Sequence, residues 1–301
     1  MAEGKHVDRP LVTIITVNYN QVAVTHEMLA SVQHLTYPAL EVIVVDNGSP
    51  TNAFTAADAA RYPNVKLLSS AKNLGFAGGN NLALREAQGA YALLINNDTE
   101  LTPDLIERLL EPMEANPAIA IVCPKIRYYQ PENLIQFAGY RPLNGYLGQT
   151  TPYGGKEVDQ GQYDQPGPTH FAHGAAMMVR RSAWEQVGLM AEEFFLYYEE
   201  LDWSCQFRRA GYQIYYQPTA LVRHKESVSV GKANPLKVYY VTRNRIYFMR
   251  RNTRGLQRLL FFLFFIVLAV PKHVLTYLLK GQRAYLSAFV RGVGWNVLRP
   301  T

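Results

Sequence analysis

Cysteine is scarce in this chain of 301 residues: only Cys123 and Cys205 occur, far apart and without a CxxC spacing. That argues against a disulfide framework or a structural zinc site. Fixed-period repeats and low-complexity tracts are missing too, which removes repeat arrays. Residues 1–10 are polar and lack the apolar stretch of a signal peptide, so the chain is expected to stay in the cytosol or on the inner face of its membrane. Acid is nearly absent from the last quarter. Between residues 223 and 301, fifteen Lys and Arg face one acid, Glu226, a balance of +14. The whole chain carries +6, so residues 1–222 carry −8. An acidic body is joined to a basic tail, which suits nucleic acid or anionic lipid. Residues 259–270, LLFFLFFIVLAV, decide for lipid, because a nucleic-acid arm needs no run of twelve apolar residues.

Within the body, strand and helix signals alternate. Residues 11–17, 41–45, 65–68, 91–95 and 118–123 read as buried strands, being short, apolar and rich in β-branched residues. Helices are expected at 27–35, 80–88 and 103–115, the last with Thr102 as N-cap and Pro103 at its first position. This β-α-β-α order implies a largely parallel sheet covered by helices. Residues 127–170, rich in Gly, Pro, Tyr and Gln, read as a long excursion of the kind that shapes a substrate pocket. Strand 174–180, helices 182–187 and 203–210, and strand 212–216 follow.

In open α/β sheets, ligands bind beyond the carboxyl ends of the strands. Four polar loops fall there: Asn18-Tyr19-Asn20, Asp46-Asn47-Gly48-Ser49, residues 72–81 and Asn96-Asn97-Asp98-Thr99. Each alone is ordinary turn chemistry; their convergence on one sheet edge is the signal. GFAGG is no dinucleotide fingerprint, since it follows the third strand and its glycine spacing is wrong. A triphosphate-binding loop rich in glycine and basic residues, as a nucleotidyltransferase would carry after its first strand, is absent.

The blocks VTIITVNYN, VIVVDNGS, NLGFAGGNN, LLINNDT, GAAMMVRR and FFLYYEELDW, in that order, resemble family 2 glycosyltransferases of the GT-A fold. They look closest to the bacterial rhamnosyltransferase-like branch that builds surface polysaccharides. The resemblance spans residues 10 to 250. It implies a GT-A-type, Rossmann-like mixed sheet flanked by helices over residues 1–250, with a nucleotide-sugar half at 10–125 and an acceptor half at 126–250. Residues 251–301 would form an amphipathic helical tail. The implied activity is metal-dependent, inverting transfer of a sugar from a nucleotide diphosphate donor, with dTDP-rhamnose expected before a UDP-sugar, to a polyprenyl-linked saccharide.

Asn96-Asn97-Asp98 matches the family's DxD position. A diphosphate leaving group gathers negative charge, and Mg2+ or Mn2+ bridging its phosphates neutralises it. Asp98 would supply a carboxylate, Asn96 a neutral oxygen, and His224 would complete the shell or be structural; Asp98 could instead cap a helix. The resemblance sets Thr16, Asn18, Asn20, Asp46 and Asn97 at the nucleotide, with Lys72, Asn73, Gly75, Phe76, Gly78 and Asn80 on a loop closing over it. Glu200 matches the catalytic base that takes the acceptor hydroxyl's proton, with Glu199 and Asp202 as second candidates. His173, Gly174, Tyr198 and Trp203 would line the acceptor pocket, although the aromatics suit the core equally well.

Residues 259–270 would span about 18 Å as a helix against roughly 30 Å of hydrocarbon, and Pro271 and Lys272 follow. The expectation is therefore helices lying in the lipid interface against anionic lipid, peripheral or monotopic, on the cytoplasmic face of a bacterial inner membrane. A tail packed on its own body or into a homodimer is the alternative. The rival to catalysis is an inactive membrane-bound module that binds nucleotide sugars.

Overall fold

The computed structural model describes residues 9–225 and 234–298. In chain order its elements are β1 (Val12–Asn18), α1 (Val22–Val32), β2 (Leu40–Asp46), α2 (Ala56–Ala59), β3 (Val65–Ser69), α3 (Gly75–Glu86), β4 (Tyr91–Ile95), β5 (Thr99–Leu101) and α4 (Leu105–Ala115). The second half holds β6 (Ile119–Tyr128), β7 (Ile135–Phe137), β8 (Gly167–Pro168), β9 (Ala176–Arg180), α5 (Arg181–Val187), α6 (Glu199–Arg209), β10 (Gln213–His224) and α7 (Pro235–Asn252). One sheet runs β3-β2-β1-β4-β9-β6-β10-β5, with β7 on β6 and β8 on β10.

The first four strands in that order are mutually parallel. β9 enters antiparallel between β4 and β6, and β10 runs parallel to β6. The sheet is thus mixed, and the ends of β1, β2, β4 and β10 share one edge with the start of β9. Burial drives the pairing: β1 is apolar or β-branched from Val12 to Val17, and β4 is buried along its whole length. Helix α4 covers the sheet with Leu105, Ile106, Leu109, Leu110 and Met113, one helical stripe.

Four helix starts differ by two residues or more from the sequence expectation; the first, that of α1, falls at Val22 instead of residue 27. Helix α3 begins at Gly75, so most of the glycine-rich segment is its first turns. A Cβ at Gly79 would stand 3.1 Å from Val17 Cγ1, so this glycine lets the helix lie close on β1. Helix α4 begins at Leu105 after Asp104; Thr102, expected as its cap, instead donates from Oγ1 to Leu221 O at 3.0 Å. Helix α6 begins at Glu199, four residues early, which puts Glu199, Glu200 and Asp202 in its first turn.

The tail differs more. Gly255–Leu279 is one continuous helix of 25 residues, long and apolar enough to cross a membrane by length and composition. The interruption expected at Pro271 does not occur. A π-helical turn at Phe265–Ala269 resets the ladder, and Pro271 falls in the first turn of the α-helical stretch that follows, where its missing N–H costs little. Phe261, Phe265 and Ala269 are buried, as is Phe289 of the last helix, Arg283–Leu298. They join Ile246, Phe248 and Met249 of α7 and Phe171, Phe194, Tyr198 and Leu201 of the body in a second core. Residue 250, the expected domain boundary, lies inside α7. The opposite face of the tail helix exposes Leu259, Leu263, Ile266, Val267 and Leu275, each more than half accessible.

Candidate active site

At the shared sheet edge, antiparallel pairing of β10 with β5 sets His224 across from Thr99. This brings His224 Nε2 to 3.0 Å from Asp98 Oδ1. Both residues are buried, and Lys225 N donates to Asp98 O at 2.8 Å, closing the corner. On the far side of the ring, Nδ1 lies 2.7 Å from Gln136 Oε1. With Nδ1–H donating to that oxygen, the Nε2 lone pair faces a carboxylate oxygen, and two acceptors at that separation require a proton or a cation between them. A metal-ligating histidine is oriented in this way by an acceptor behind it. Asn96 Nδ2 is 3.4 Å from the same Nε2. Asp98, His224 and Asn96 therefore fit a divalent cation that takes its remaining ligands from phosphates and water.

The base candidates reach the same edge from α6. Asn96 N donates to Ala175 O at 3.0 Å, which ties the Asn96 turn to the His173-Gly174-Ala175 turn before β9. A Cβ on Gly174 would stand 3.9 Å from Glu200 Cδ and 3.7 Å from the Phe76 ring. The half-buried Glu200 carboxyl thus lies against that turn, at ordinary van der Waals range from a side chain at 174. Burial pushes Glu200 up to about 7 against the pull of backbone N–H groups at the helix start. Burial first, then the charge of Glu200, lifts Glu199 well above the usual carboxylate range, and its Oε2 has no hydrogen-bond partner among the described residues. His173 stacks on Tyr140 with centroids 5.9 Å apart, and burial lowers its imidazole to about 3, with His224 adding to the shift. His173 is therefore a neutral ring beside the Asp98–His224 pair.

The chain entering α6 is strained. Phe195, Tyr197 and Tyr198 all have positive φ, at 64°, 72° and 76°, a conformation that costs about 1–3 kcal/mol per non-glycine residue. Fully buried Asn244 of α7 holds this segment, its Nδ2 lying 2.8 Å from the carbonyls of Phe194, Leu196 and Tyr197. Phe195 O in turn accepts from Phe76 N. Gly75 has φ 73°, and a Cβ there would fall 2.2 Å from Phe195 O. Only glycine lets α3 start against the α6 entry.

Several expected contact residues belong to the framework instead. Thr16 and Asn18 are fully buried; Asn18 Nδ2 donates to Asp46 Oδ2 at 2.7 Å, and its Oδ1 accepts from Thr25. Asn97 donates to Thr25 Oγ1 at 3.0 Å, while Asn80 returns to Phe76 O and Gly78 sits inside α3. Asp46 Oδ2 also accepts from Ser49 Oγ and Phe54 N, so this carboxylate shapes the loop after β2, and its Oδ1 takes one bond from Ser49 N. Asn20, Lys72 and Asn73 remain accessible on these loops, and Phe76, in the first turn of α3, is half-buried against the core.

Asp202 is corrected more strongly. It is buried in a pair with Arg251 Nε at 3.0 Å and a bond from Asn252 Nδ2 at 2.7 Å, so it fastens α6 to α7. Trp203 is a core residue, fully buried with Nε1 donating to Gly188 O. Tyr198 packs on Phe248 in the second core and donates to Gly148 O at 3.1 Å. A period-blind reading of FFLYYEELDW could not separate these from Glu200, because alternate faces of one helix turn carry them.

Four residues of the site were missed by sequence reasoning. Asn47 bonds Asn73 Oδ1 and Gly75 O and accepts from Leu74 N, joining two loops; its place in DNGS was the available signal. Thr25 and Gln136 gave none, and Asn244 lay among basic residues read as tail charge.

A mixed sheet of this order, with a carboxylate–imidazole pair and a buried carboxyl at the edge where the parallel strands end, is the architecture of the GT-A-type glycosyltransferases. Solved structures share the fold. A mannosyltransferase of Pyrobaculum calidifontis, in complex with GDP-Man and Mn2+, matches with TM-score 0.59 at 17% identity, over 98% of this chain and 77% of its own. GalNAc-T7 with UDP, GalNAc and Mn2+ matches with TM-score 0.61 at 14% identity, over 83% and 52%.

The model of glycosyl transferase family 2 matches residues 13–188, and the chain belongs to that family. Among curated relatives, the N-acetylglucosaminyl-diphospho-decaprenol L-rhamnosyltransferase of Mycobacterium tuberculosis is 28% identical over 73% of this chain and 77% of its own length. The low-salt glycan biosynthesis hexosyltransferase Agl10 of Haloferax volcanii is 27% identical over 77% and 73%.

Proposed function

We propose that this glycosyltransferase moves rhamnose from dTDP-rhamnose, with inversion, to a hydroxyl of a lipid-linked saccharide at a membrane surface. The mycobacterial relative supports both the sugar and the lipid-linked acceptor. The observation that carries the reading is the meeting, along one sheet edge, of the Asp98–His224 pair with Glu200 through the Asn96 and Gly174 turns.

Asp98, His224 and Asn96 would hold Mg2+ or Mn2+, which when bound neutralises the charge growing on the departing nucleotide diphosphate. The loops carrying Asn20, Asp46, Lys72, Asn73 and Phe76 would fix the nucleotide. Glu200 accepts the acceptor hydroxyl's proton as its oxygen attacks the anomeric carbon. A carboxyl with its pKa near 7 suits that task, since about half of it is ionised near neutral pH and it is basic enough to take a proton. Attack on the face opposite the leaving diphosphate inverts the anomeric centre, and no covalent enzyme intermediate forms. The exposed apolar face of Gly255–Leu279 would lie in the lipid interface while the opposite stripe stays in the second core. The cytoplasmic side is the expected one, because the basic tail suits its anionic leaflet.

The test is a panel of dTDP-, UDP- and GDP-sugars offered to the purified protein with a prenyl-linked saccharide, with and without divalent cation. Transfer from dTDP-rhamnose, restored to a chelated enzyme by Mg2+ or Mn2+ and giving inverted product, is the expected result. Transfer restricted to another nucleotide sugar would overturn the donor, and a retained anomeric configuration would overturn the mechanism.

A further inference from the structure

A cavity of about 270 Å³ opens between α7, the tail helix and the last helix, closed on one side by Gln149. Its wall carries Arg245 and Lys237 of α7 with His273, Phe265 and Tyr277 of the tail helix. Arg245 is the unusual member. It is 7% exposed, donates from Nε to Leu147 O, and lies over the rings of Phe261 and Phe265 at 5.9 and 5.4 Å. No carboxylate pairs with it among the described residues, and residues 234–298 contain no Asp or Glu at all. A guanidinium set among aromatic rings with one carbonyl acceptor and no carboxylate is only partly compensated for its lost hydration, and burial lowers its pKa accordingly. Lys237 adds a second cation to the same wall.

Two neighbours give the cavity its context. The helix that supplies Phe265, His273 and Tyr277 also presents Leu259, Leu263 and Ile266 to the outside. The cavity also borders the site: Gln149 follows Gly148, whose carbonyl accepts from Tyr198, two residues before Glu200.

We propose that this cavity binds the diphosphate joining the acceptor saccharide to its lipid, Arg245 and Lys237 taking the charge while the prenyl chain leaves along the exposed apolar face. The inference rests on the lipid-linked acceptor proposed above, and it assigns the part of that acceptor that the sheet-edge site does not hold. Arg is suited to the role because its planar fork pairs with two phosphate oxygens at once.

The experiment measures binding of a short prenyl diphosphate, the matching prenyl alcohol and inorganic pyrophosphate to the full chain in detergent, together with binding to phosphatidylglycerol vesicles. The diphosphate should bind at least about tenfold more tightly than the alcohol, and pyrophosphate should compete with it. Arg245→Gln and Lys237→Ala should each weaken it by about tenfold and leave nucleotide binding unchanged. Lys237 is only half-buried, so its variant keeps the test valid if Arg245→Gln unfolds. Equal binding of diphosphate and alcohol by the wild type would overturn the proposal. So would loss of vesicle binding in both variants with diphosphate affinity intact, which would make a phospholipid headgroup the occupant. Normal KM for a lipid-linked acceptor in both variants would sink this inference and leave the proposed function standing. Tight diphosphate binding in a protein that transfers no sugar would do the reverse.

Discussion

His224 Nε2 stands 3.0 Å from Asp98 Oδ1, with Gln136 Oε1 holding the other ring nitrogen at 2.7 Å. The contact joins residues 126 positions apart and exists because β5 folds back antiparallel on the end of β10. Removing His224 takes the imidazole from a buried Asp98 carboxylate, whereas removing Asp98 leaves His224 its contacts to Gln136 and Asn96. Asp98→Ala is expected to lower kcat/KM by at least about 100-fold, since it deletes the one carboxylate found at the cation position among the described residues. His224→Gln keeps a neutral acceptor and should cost less. Steady-state rates titrated with Mn2+ check both; full activity of Asp98→Ala in the presence of chelator would contradict the assignment.

Glu200→Gln should reduce transfer by about 100- to 10,000-fold, the range of a lost general base, while nucleotide binding by calorimetry stays within about twofold. The pH dependence of the wild type follows from the raised carboxyl. A base works when deprotonated, so kcat/KM should rise with pH through about 7 and level off above it. Since Glu199 and Glu200 interact, the rising limb reports the pair rather than one group. A profile already flat from pH 5 upward would remove Glu200 from the role.

Asn244→Leu should act at a distance. It strips the carbonyls of Leu196 and Tyr197 of a buried donor, while Phe194 O keeps Arg243, and unsatisfied groups cost about 1–3 kcal/mol each before relaxation. The strained entry to α6 would then relax and move Glu200. The expected signature is a fall in kcat with an unchanged donor KM and a lower Tm. A purely structural role would lower Tm and leave kcat of the remaining folded protein intact.

The two faces of the tail helix should separate. Replacing Leu259, Leu263 and Ile266 by Ser removes exposed apolar surface and should release the protein from liposomes with little change in Tm. Phe261→Ala empties a fully buried site in the second core and should cost about 3–5 kcal/mol. Co-sedimentation and thermal melts read the two effects. Because this core includes Ile246, Phe248 and Met249, deleting the chain beyond residue 254 would expose it, so a truncation would mix the two faces in one readout.

Much of the sheet was legible along the chain. β1, β2 and β4 stand within a residue or two of the expected spans, because a strand buried on both faces is a continuous apolar run that survives any register; β3 also falls where expected, but as a half-exposed edge strand and not the buried one the sequence suggested. The edge placement of the four polar loops follows from parallel order alone. The helix starts were less legible: α3 begins within its glycines because close contact with Val17 and Phe195 requires them there, and those partners are remote in sequence.

In the motif FFLYYEELDW, the sequence supplied three acids and could not rank them. Asp202 meets Arg251 and Asn252 because α7 packs on α6, whereas Glu200 points at the Gly174 turn, and no spacing within ten residues encodes that difference. The tail likewise showed its charge and apolar content along the chain, but not which residues pack inward. Sequence alone determined the strands, the polar loops at their ends, the family resemblance and the basic, apolar tail, since these depend on residue type and local period. Tertiary structure decided which polar groups are consumed by framework bonds, which face of the tail is buried, and that an arginine with no carboxylate partner among the described residues lines a cavity beside the site, because each depends on contacts between segments distant in the chain.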